Sequence, residues 1–393
     1  MNGRMIDVAI AGGGLAGGLV ALALHRARPE LRLALIEGGA TLGGNHRWSW
    51  FSSDLPDEGA ALLSAFRTTR WSGYDVRFPG FGRTMGTGYN SLASTDFDAA
   101  LQRLLPAGTI RNRCQVAAVD ARGVALGDGT RIEARCVIDA RGIADAPHLE
   151  GGWQVFLGRR LRTAAPHGLA RPTVMDADVE QHGSCRFVYT LPLGGDELFV
   201  EDTYYDESPA LDRSALSARI DRYCGQRGWA GEPIDFETGV LPVITGGDFA
   251  AFQAAHRTDG VAVVGARGGF VHPLTSYTLP FAVETALAIA AEHDLAGPQL
   301  AALVEARARA HWRRTAFYRR LGRMMFGAGA PVDRYRAFAL VYRLPQPLVE
   351  RFYAARLTRA DRVRMLCGRP PVPVLGAIRA LGTHGPPLEK RAA

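Results

Sequence analysis

Lysine is nearly missing from this chain. Of 393 residues only Lys390 is one, although 46 positions are basic. Cysteine is sparse as well: Cys114, Cys136, Cys185, Cys224 and Cys367 are widely scattered, with no Cys-x-x-Cys pair and no Cys/His cluster. That excludes a disulfide scaffold, a zinc ribbon or another sequence-evident metal centre, and it suits a reducing cytoplasm. No apolar run reaches the ~18 residues of a membrane-spanning helix. The apolar stretch Val8–Leu24 is interrupted by glycines and carries no signal-peptide cleavage pattern. There is no internal repeat of solenoid period and no long low-complexity stretch. What remains is rich in core-forming residues, with 47% hydrophobic and 22% charged types, which excludes general disorder. A chain beyond about 250–300 residues usually divides into lobes.

Residues 301–393 hold 19 basic and 5 acidic positions, leaving 27 and 34 for residues 1–300. The positive excess therefore sits in the C-terminal quarter, almost wholly as arginine interleaved with aromatic and aliphatic side chains. Such a segment is attracted to anionic lipid or to nucleic acid, and its plainest reading is a solvated helical face. The spacing predicts helices from Gln299 onward with a break at Gly327–Pro331. The Pro/Gly-rich tail from Pro370 is expected to be loosely held.

The N-terminus reads as strand, turn, helix, strand. Ile6–Ala11 is a short apolar run, Leu15–Arg26 has helical spacing and Leu31–Ile36 alternates up to Glu37. Between the first strand and the helix lies Gly12-x-Gly14-x-x-Gly17. Gly12 permits a sharp turn, Gly14 lets backbone approach a pyrophosphate at the helix N-terminus, and Gly17 permits close helix–strand packing. Glu37, twenty residues past Gly17, stands where a carboxylate accepts from ribose hydroxyls. Further strands are expected at Cys136–Asp139, Phe187–Leu191, Glu197–Glu201 and Val261–Gly265, and a helix over Pro280–Glu292. The late strand opens into Gly265-Ala-Arg-Gly-Gly269, Val137–Gly142 ends in a turn at Asp139 that would face the nucleotide, and Gly43-Gly44 follows Glu37 closely. A glycine-rich loop after a late strand is how flavin enzymes hold the ribityl chain and second phosphate, so FAD is the dinucleotide expected.

Four segments, Gly-Gly-Asn-His-Arg-Trp-Ser-Trp at 43–50, Val-Ile-Asp-Ala-Arg-Gly at 137–142, Phe-Val-Glu-Asp-Thr at 199–203 and His-Pro-Leu-Thr-Ser-Tyr-Thr-Leu-Pro-Phe-Ala-Val at 272–283, resemble in order the bacterial lycopene β-cyclases. These lie within the wider group of flavoprotein hydroxylases and isoprenoid reductases. Two departures stand out. Ser276 occupies a position where the family more often has Gly before the Tyr, and Ala266 follows Gly265 where flavin hydroxylases have Asp; the second favours the cyclase. The resemblance implies an α/β fold: a Rossmann-type FAD-binding lobe (1–50, 95–145 and 255–300), a discontinuous β-rich substrate lobe (51–94 and 146–254) and a basic helical C-terminal region (301–393). It implies conversion of the linear ψ-ends of lycopene into β-ionone rings without net redox change, with FAD in its reduced form and NAD(P)H as reductant.

The chemistry of that reaction constrains the residues. A proton delivered to C2 of the terminal alkene leaves a cation at C1; the C5=C6 bond closes on it, and loss of the C6 proton gives the β ring. A carboxyl in an apolar pocket stays protonated because burial disfavours its charge. Glu201 and Asp202 follow an apolar run, and since adjacent strand residues point to opposite faces, at most one faces the substrate. By the resemblance Glu201 is the acid/base and Asp202 the supporting group. Trp48, Trp50, Phe51, Tyr204, Tyr205 and Tyr277 are candidates for cation–π support, although core packing is the ordinary role of each. His46 and His272 are read as loop-ordering residues.

The expected cofactor-binding set is thus Gly12, Gly14, Gly17, Glu37, Gly44, Asp139, Gly265 and Gly269. A flavin monooxygenase or isoprenoid reductase is the alternative enzyme, distinguished by net consumption of electrons. A basic nucleic-acid-binding protein is the alternative of another class, but no nucleic-acid module is matched. The expected partners are lycopene and an anionic cytoplasmic membrane surface, met peripherally through the C-terminal region. Replacing Arg313, Arg314, Arg319 and Arg320 by Gln is expected to weaken that contact, and deleting the tail from Pro370 to alter it little.

Overall fold

The computed structural model describes residues 5–143, 145–367 and 371–389; Lys390 and Arg391 lie outside them. Two large sheets both contribute residues to the wall of one cavity. The first runs in the order 110–111, Leu33–Ile36, Ile6–Ala11, Arg131–Asp139, Gly123–Leu126 and Val116–Asp120, with Val261–Val263 pairing on Arg131–Asp139. Its central members are parallel. Parallel strands carry helices on their faces and are buried on both sides, and Val8, Ile10, Leu35, Val137 and Ile138 are accordingly wholly buried. The first helix spans Leu15–Ala27 and packs beside the helix Leu279–Ala290. The second strand begins at Leu33, two residues later than the alternation suggested.

The second sheet runs Gly231–Gly247, Ala146–Thr163, Glu197–Asp206, Cys185–Pro192, Thr173–Asp176, Tyr74–Phe78 and Phe81–Met85. It is antiparallel except where Thr173–Asp176 meets Tyr74–Phe78. One face carries the helix Arg213–Gly225, whose Leu216, Ile220 and Tyr223 pack on Leu157, Val188 and Val200. The other face looks into the cavity. A small sheet of Arg47–Phe51, Tyr89–Ala93 and Thr69–Trp71 bridges the two.

Helices from Gly297–Arg314 to Val374–Leu381 form the C-terminal region, with Ala316–Ala328 followed by a short turn at Pro331–Asp333. The tail is not loosely held where it is described. The helix Val374–Leu381 lies so close on Ala316–Ala328 that a Cβ on Gly327 would come within 2.8 Å of the Ala380 Cβ. Beyond it, Pro387–Leu388 pairs with Ala146–Thr163 and buries Leu388. Glycine, part of what makes the tail read as loose, here serves close helix packing: a Cβ on Gly376 would come within 3.3 Å of the Ala328 Cβ. No helix among the described residues is long and apolar enough to cross a membrane.

Candidate active site

A cavity of about 870 Å³ runs from Gly12, Gly14 and Glu37 at one end to Glu201 and Glu237 at the other. The glycine residues of the first turn play different parts. Gly12 has φ +105° and a Cβ there would strike the Ala140 carbonyl at 2.7 Å, while a Cβ on Gly17 would overlap the Gly12 carbonyl; both answer to the protein's own packing. Gly14 is different: it caps the helix N-terminus, lines the cavity, and a Cβ on it would meet nothing within 4 Å. Absence of a side chain there benefits only something in the cavity. The helix has no side-chain cap and no acid in its first turn, which leaves its amides free for an anion. Glu37 accepts from the Gly13 amide at 2.8 Å and the Gly39 amide at 2.7 Å. Each carboxylate oxygen keeps a further lone pair.

Gly44 (φ +63°) and Gly265 (φ +66°) also line the cavity. Asp139 and Gly269 do not. Asp139 is buried beneath the loop, accepting from Arg141 Nη2 at 2.7 Å and lying 3.2 Å from Arg267 Nε. Burial opposes its charge, but the two guanidiniums outweigh burial and hold the carboxyl below its usual range. It fastens two turns that border the cavity. Gly269 is a left-handed cap where a Cβ would strike Phe249 at 2.6 Å; it shapes the loop and does not reach a ligand. Gln154 Oε1 and Thr275 Oγ1, on the cavity wall, are buried without a hydrogen-bond partner among the described residues. A bare helix N-terminus, an anchored acid at the second strand end and these two waiting polar atoms fit an elongated dinucleotide such as FAD.

The other end is apolar and aromatic. Alternation on the second sheet aims Phe156, Tyr189, Leu191, Phe199, Glu201, Glu237 and Leu241 inward, and Trp48, Tyr89 and Tyr277 face them. Glu201 is held by a 2.7 Å hydrogen bond from Thr203 Oγ1. Burial pushes its carboxyl up to about 7, against the pull of that hydrogen bond. Asp202 points the opposite way, as strand alternation requires of the neighbour of a cavity-facing Glu201, so it does not line the cavity. It is fully buried on the helix side of the sheet, where the Arg186 guanidinium grips it through Nε at 2.8 Å and again through Nη2. The period of two separates the neighbours, and a buried carboxylate needs such a partner. Of the aromatic candidates Trp48 and Tyr277 line the cavity; Trp50, Phe51, Tyr204 and Tyr205 do not, and Tyr205 donates to the Leu274 carbonyl at 3.0 Å.

His272 orders its loop. Its Nε2 lies 3.1 Å from the Phe352 carbonyl, its Nδ1 accepts from the Leu274 and Thr275 amides, and burial drives its pKa down to about 3. Ser276, where the sequence departs from the expected glycine, has φ +57° and donates to the Pro242 carbonyl at 2.8 Å. That bond compensates part of the cost of a left-handed non-glycine residue. Tyr89, Tyr189, Phe156, Phe199 and Glu237 were not singled out from the sequence. Tyr189 and Phe199 lie in expected strands, where alternation from Glu201 could have found them.

The chain matches the model of the family described as lycopene cyclase protein over residues 7–379. It is 42% identical over 97% of its length to the lycopene beta-cyclase of Pseudescherichia vulneris, of which 98% is covered. It is 41% identical to that of a Paracoccus species over 95% of the chain and 97% of the relative. Among solved structures, a flavoprotein/dehydrogenase from Cytophaga hutchinsonii superposes with TM-score 0.61 at 14% identity, over 92% of this chain and 96% of that one. A geranylgeranyl bacteriochlorophyll reductase-like protein from Thermoplasma acidophilum gives 0.59 at 14%, over 96% and 99%. The solved structures establish a flavoprotein fold and the sequence relatives the narrower kinship, so the chain belongs to the lycopene cyclase family.

Proposed function

We propose that this protein is a lycopene β-cyclase: it closes the ψ-ends of lycopene into β-ionone rings by protonation. The observation that carries the reading is Glu201, a carboxyl kept protonable near neutral pH by burial, at the aromatic end of a cavity whose other end suits a dinucleotide. Glu201 delivers the proton to C2. Tyr189, Tyr277 and Trp48 offer ring faces to the resulting cation, each desolvated contact contributing up to ~2 kcal/mol. The apolar walls exclude the water that would trap the cation as an alcohol. Gly12, Gly14, Glu37, Gly44 and Gly265 would hold FAD, with Gly17 and Asp139 shaping the turns behind them. In its reduced form, with NAD(P)H as electron source, FAD would supply fixed negative charge beside the cation. The lobe division expected from the sequence is supported by the two sheets; of the C-terminal helices, Gly297–Arg314 packs against the first sheet and Ala316–Ala328 against the second.

Lycopene has no polar handle and must be drawn from a bilayer, so we propose peripheral contact with an anionic cytoplasmic membrane surface. The arginines first expected to make that contact do not all face outward. Arg319 is buried, stacked 3.4 Å over the Trp312 ring and donating to Thr315 Oγ1 at 2.9 Å, and Arg314 is engaged by Glu284. The helices Arg359–Leu366 and Val374–Leu381 suit the role better, so that deletion from Pro370, which removes the second of them, should weaken the contact rather than alter it little. Leu375 is 81% exposed and Val363, Leu366 and Ile378 are each above 60%, with Arg359, Arg364 and Arg379 exposed among them. Apolar side chains ringed by arginine fit a lipid interface.

The test is anaerobic incubation of the protein with FAD, a reductant and lycopene in anionic vesicles, with products separated by chromatography and read by absorbance. The reading predicts monocyclic and bicyclic β-ring products. Oxygenated or hydrogenated lycopene would replace it with the monooxygenase or reductase alternative.

A further inference from the structure

Glu201 does not stand alone on its face of the sheet. Gly158 pairs with Glu201 on one neighbouring strand and with Glu237 on the other. Directly paired residues of an antiparallel sheet present their side chains on the same face, so Tyr189, Glu201, Gly158 and Glu237 form one row across four strands. The middle position has no side chain. A Cβ on Gly158 would strike the Phe199 ring at 2.3 Å and come within 3.2 Å of Glu237 Cγ. The glycine makes room for the Phe199 ring between the two carboxyls; both line the cavity, and each lies within the electrostatic reach of the other. Neither makes an ion pair within 4 Å among the described residues, in contrast to the buried Asp139 with Arg141, Asp176 with Arg227 and Asp202 with Arg186; buried Asp54 is also without one but accepts from the Phe51 amide at 2.9 Å and lies outside the cavity lining.

We propose that Glu237 is the second catalytic residue of this reaction, the base that takes the proton lost from C6, paired with Glu201 as the acid. This inference rests on the cyclase reading. Arg47 is the cation whose field reaches both carboxyls; its guanidinium is anchored on Ser91 Oγ at 3.2 Å. Two carboxyls and one guanidinium in an apolar cavity are neutral when a single proton is shared between the carboxyls. That is the state the reaction requires. The O–H bond of Glu201 breaks as C2–H forms; C1–C6 then closes, C6–H breaks, and Glu237 takes that proton. One proton enters the substrate and one leaves, no electrons are transferred, and passing the proton from Glu237 back to Glu201 restores the pair. Burial foremost, and then the charge of Glu201, raise the Glu237 carboxyl well above its usual range, which makes it a competent acceptor.

Glu237→Gln keeps the shape and removes the base. The cation at C5 can still lose a proton from C4 or from its methyl group, or reopen to lycopene. With reduced FAD in D2O, the variant should retain flavin and lose β-ring formation at least ~10²-fold, the scale of a general base. Deuterium should nevertheless enter recovered lycopene, or rings should appear with the double bond displaced. Glu201→Gln should give neither rings nor deuterium. β-Rings from the Glu237→Gln protein at near wild-type rate would overturn the proposal, as would their loss with neither deuterium entry nor displaced double bonds. If that variant fails to hold flavin, Glu237→Asp is read in the same assay. Slowed ring formation with some displaced product is expected of it, and wild-type behaviour would overturn the proposal. A wild-type protein that makes no rings would instead sink the cyclase reading itself.

Discussion

Replacing Glu201 by Gln should make the protein catalytically inert and, at neutral pH and above, more stable. The amide conserves shape but has no proton to give an alkene, so cyclisation should fall by at least ~10²-fold. The stability effect follows from linkage. Burial raises the Glu201 carboxyl from 4.5 to about 7 in the folded protein. A group whose folded pKa lies above its unfolded value stabilises the fold fully below the unfolded value, and that contribution is lost as pH rises through the folded one. For Glu201 the window is pH 4.5 to 7, and at 1.36 kcal/mol per pH unit the full effect is about 3 kcal/mol. Unfolding entropy near ~2.1 cal/mol/K per residue converts this to about 4 °C for a chain of this length melting as one unit. Thermal melts of wild type and Glu201→Gln at pH 5 and pH 8 read it directly. Because part of the effect is already lost at pH 5, the wild type should lose about 3 °C relative to the variant between the two pH values. Parallel shifts would mean that Glu201 is already ionised at neutral pH, and the acid would have to be sought elsewhere.

Gly14→Val should fold normally and fail to retain FAD, because its side chain meets nothing but the cavity; a folded variant with full flavin content by absorbance would refute that placement. Ser276→Ala keeps the left-handed backbone and loses the bond to Pro242, so it should be less stable than Ser276→Gly by about 1 kcal/mol, measured by denaturant unfolding. Leu375→Asp with Ile378→Asp should weaken flotation with anionic liposomes clearly, and high salt should weaken wild-type binding. Equal binding of wild type to neutral and anionic vesicles would assign the basic, apolar surface to something else.

Local signals in the sequence carried the nucleotide end of the site. Ile6–Ala11 is a strand over that same range, the helix follows at Leu15, and Glu37 stands against the glycine turn, because turn, helix and acid lie within 32 residues and each is dictated by short-range sterics. At the other end only half was legible. The alternation that allowed one of Glu201 and Asp202 to face the cavity is local; which partner stands across the sheet is not. Glu237 lies 36 residues beyond Glu201, on an edge strand with Pro233 and Pro242 that lacks clean apolar alternation. Prolines are tolerated there because an edge needs fewer ladder bonds. Its position opposite Glu201 depends on the register of Ala146–Thr163, itself shifted by an irregularity at Arg160/Leu161. The pairing of Asp202 with Arg186 is likewise a product of register. Arginine composition gave the charge of the C-terminal region but not its direction, since helix packing decides that Arg319 turns inward while Leu375 remains outside.

The central claim is that protonation, without net electron transfer, closes the rings. It is tested most directly by anaerobic turnover of lycopene in D2O with reduced FAD and a measured quantity of NADPH. The account predicts many β-rings formed per NADPH oxidised, each carrying one deuterium at C2. One NADPH consumed for every product formed, or rings without deuterium, would contradict it.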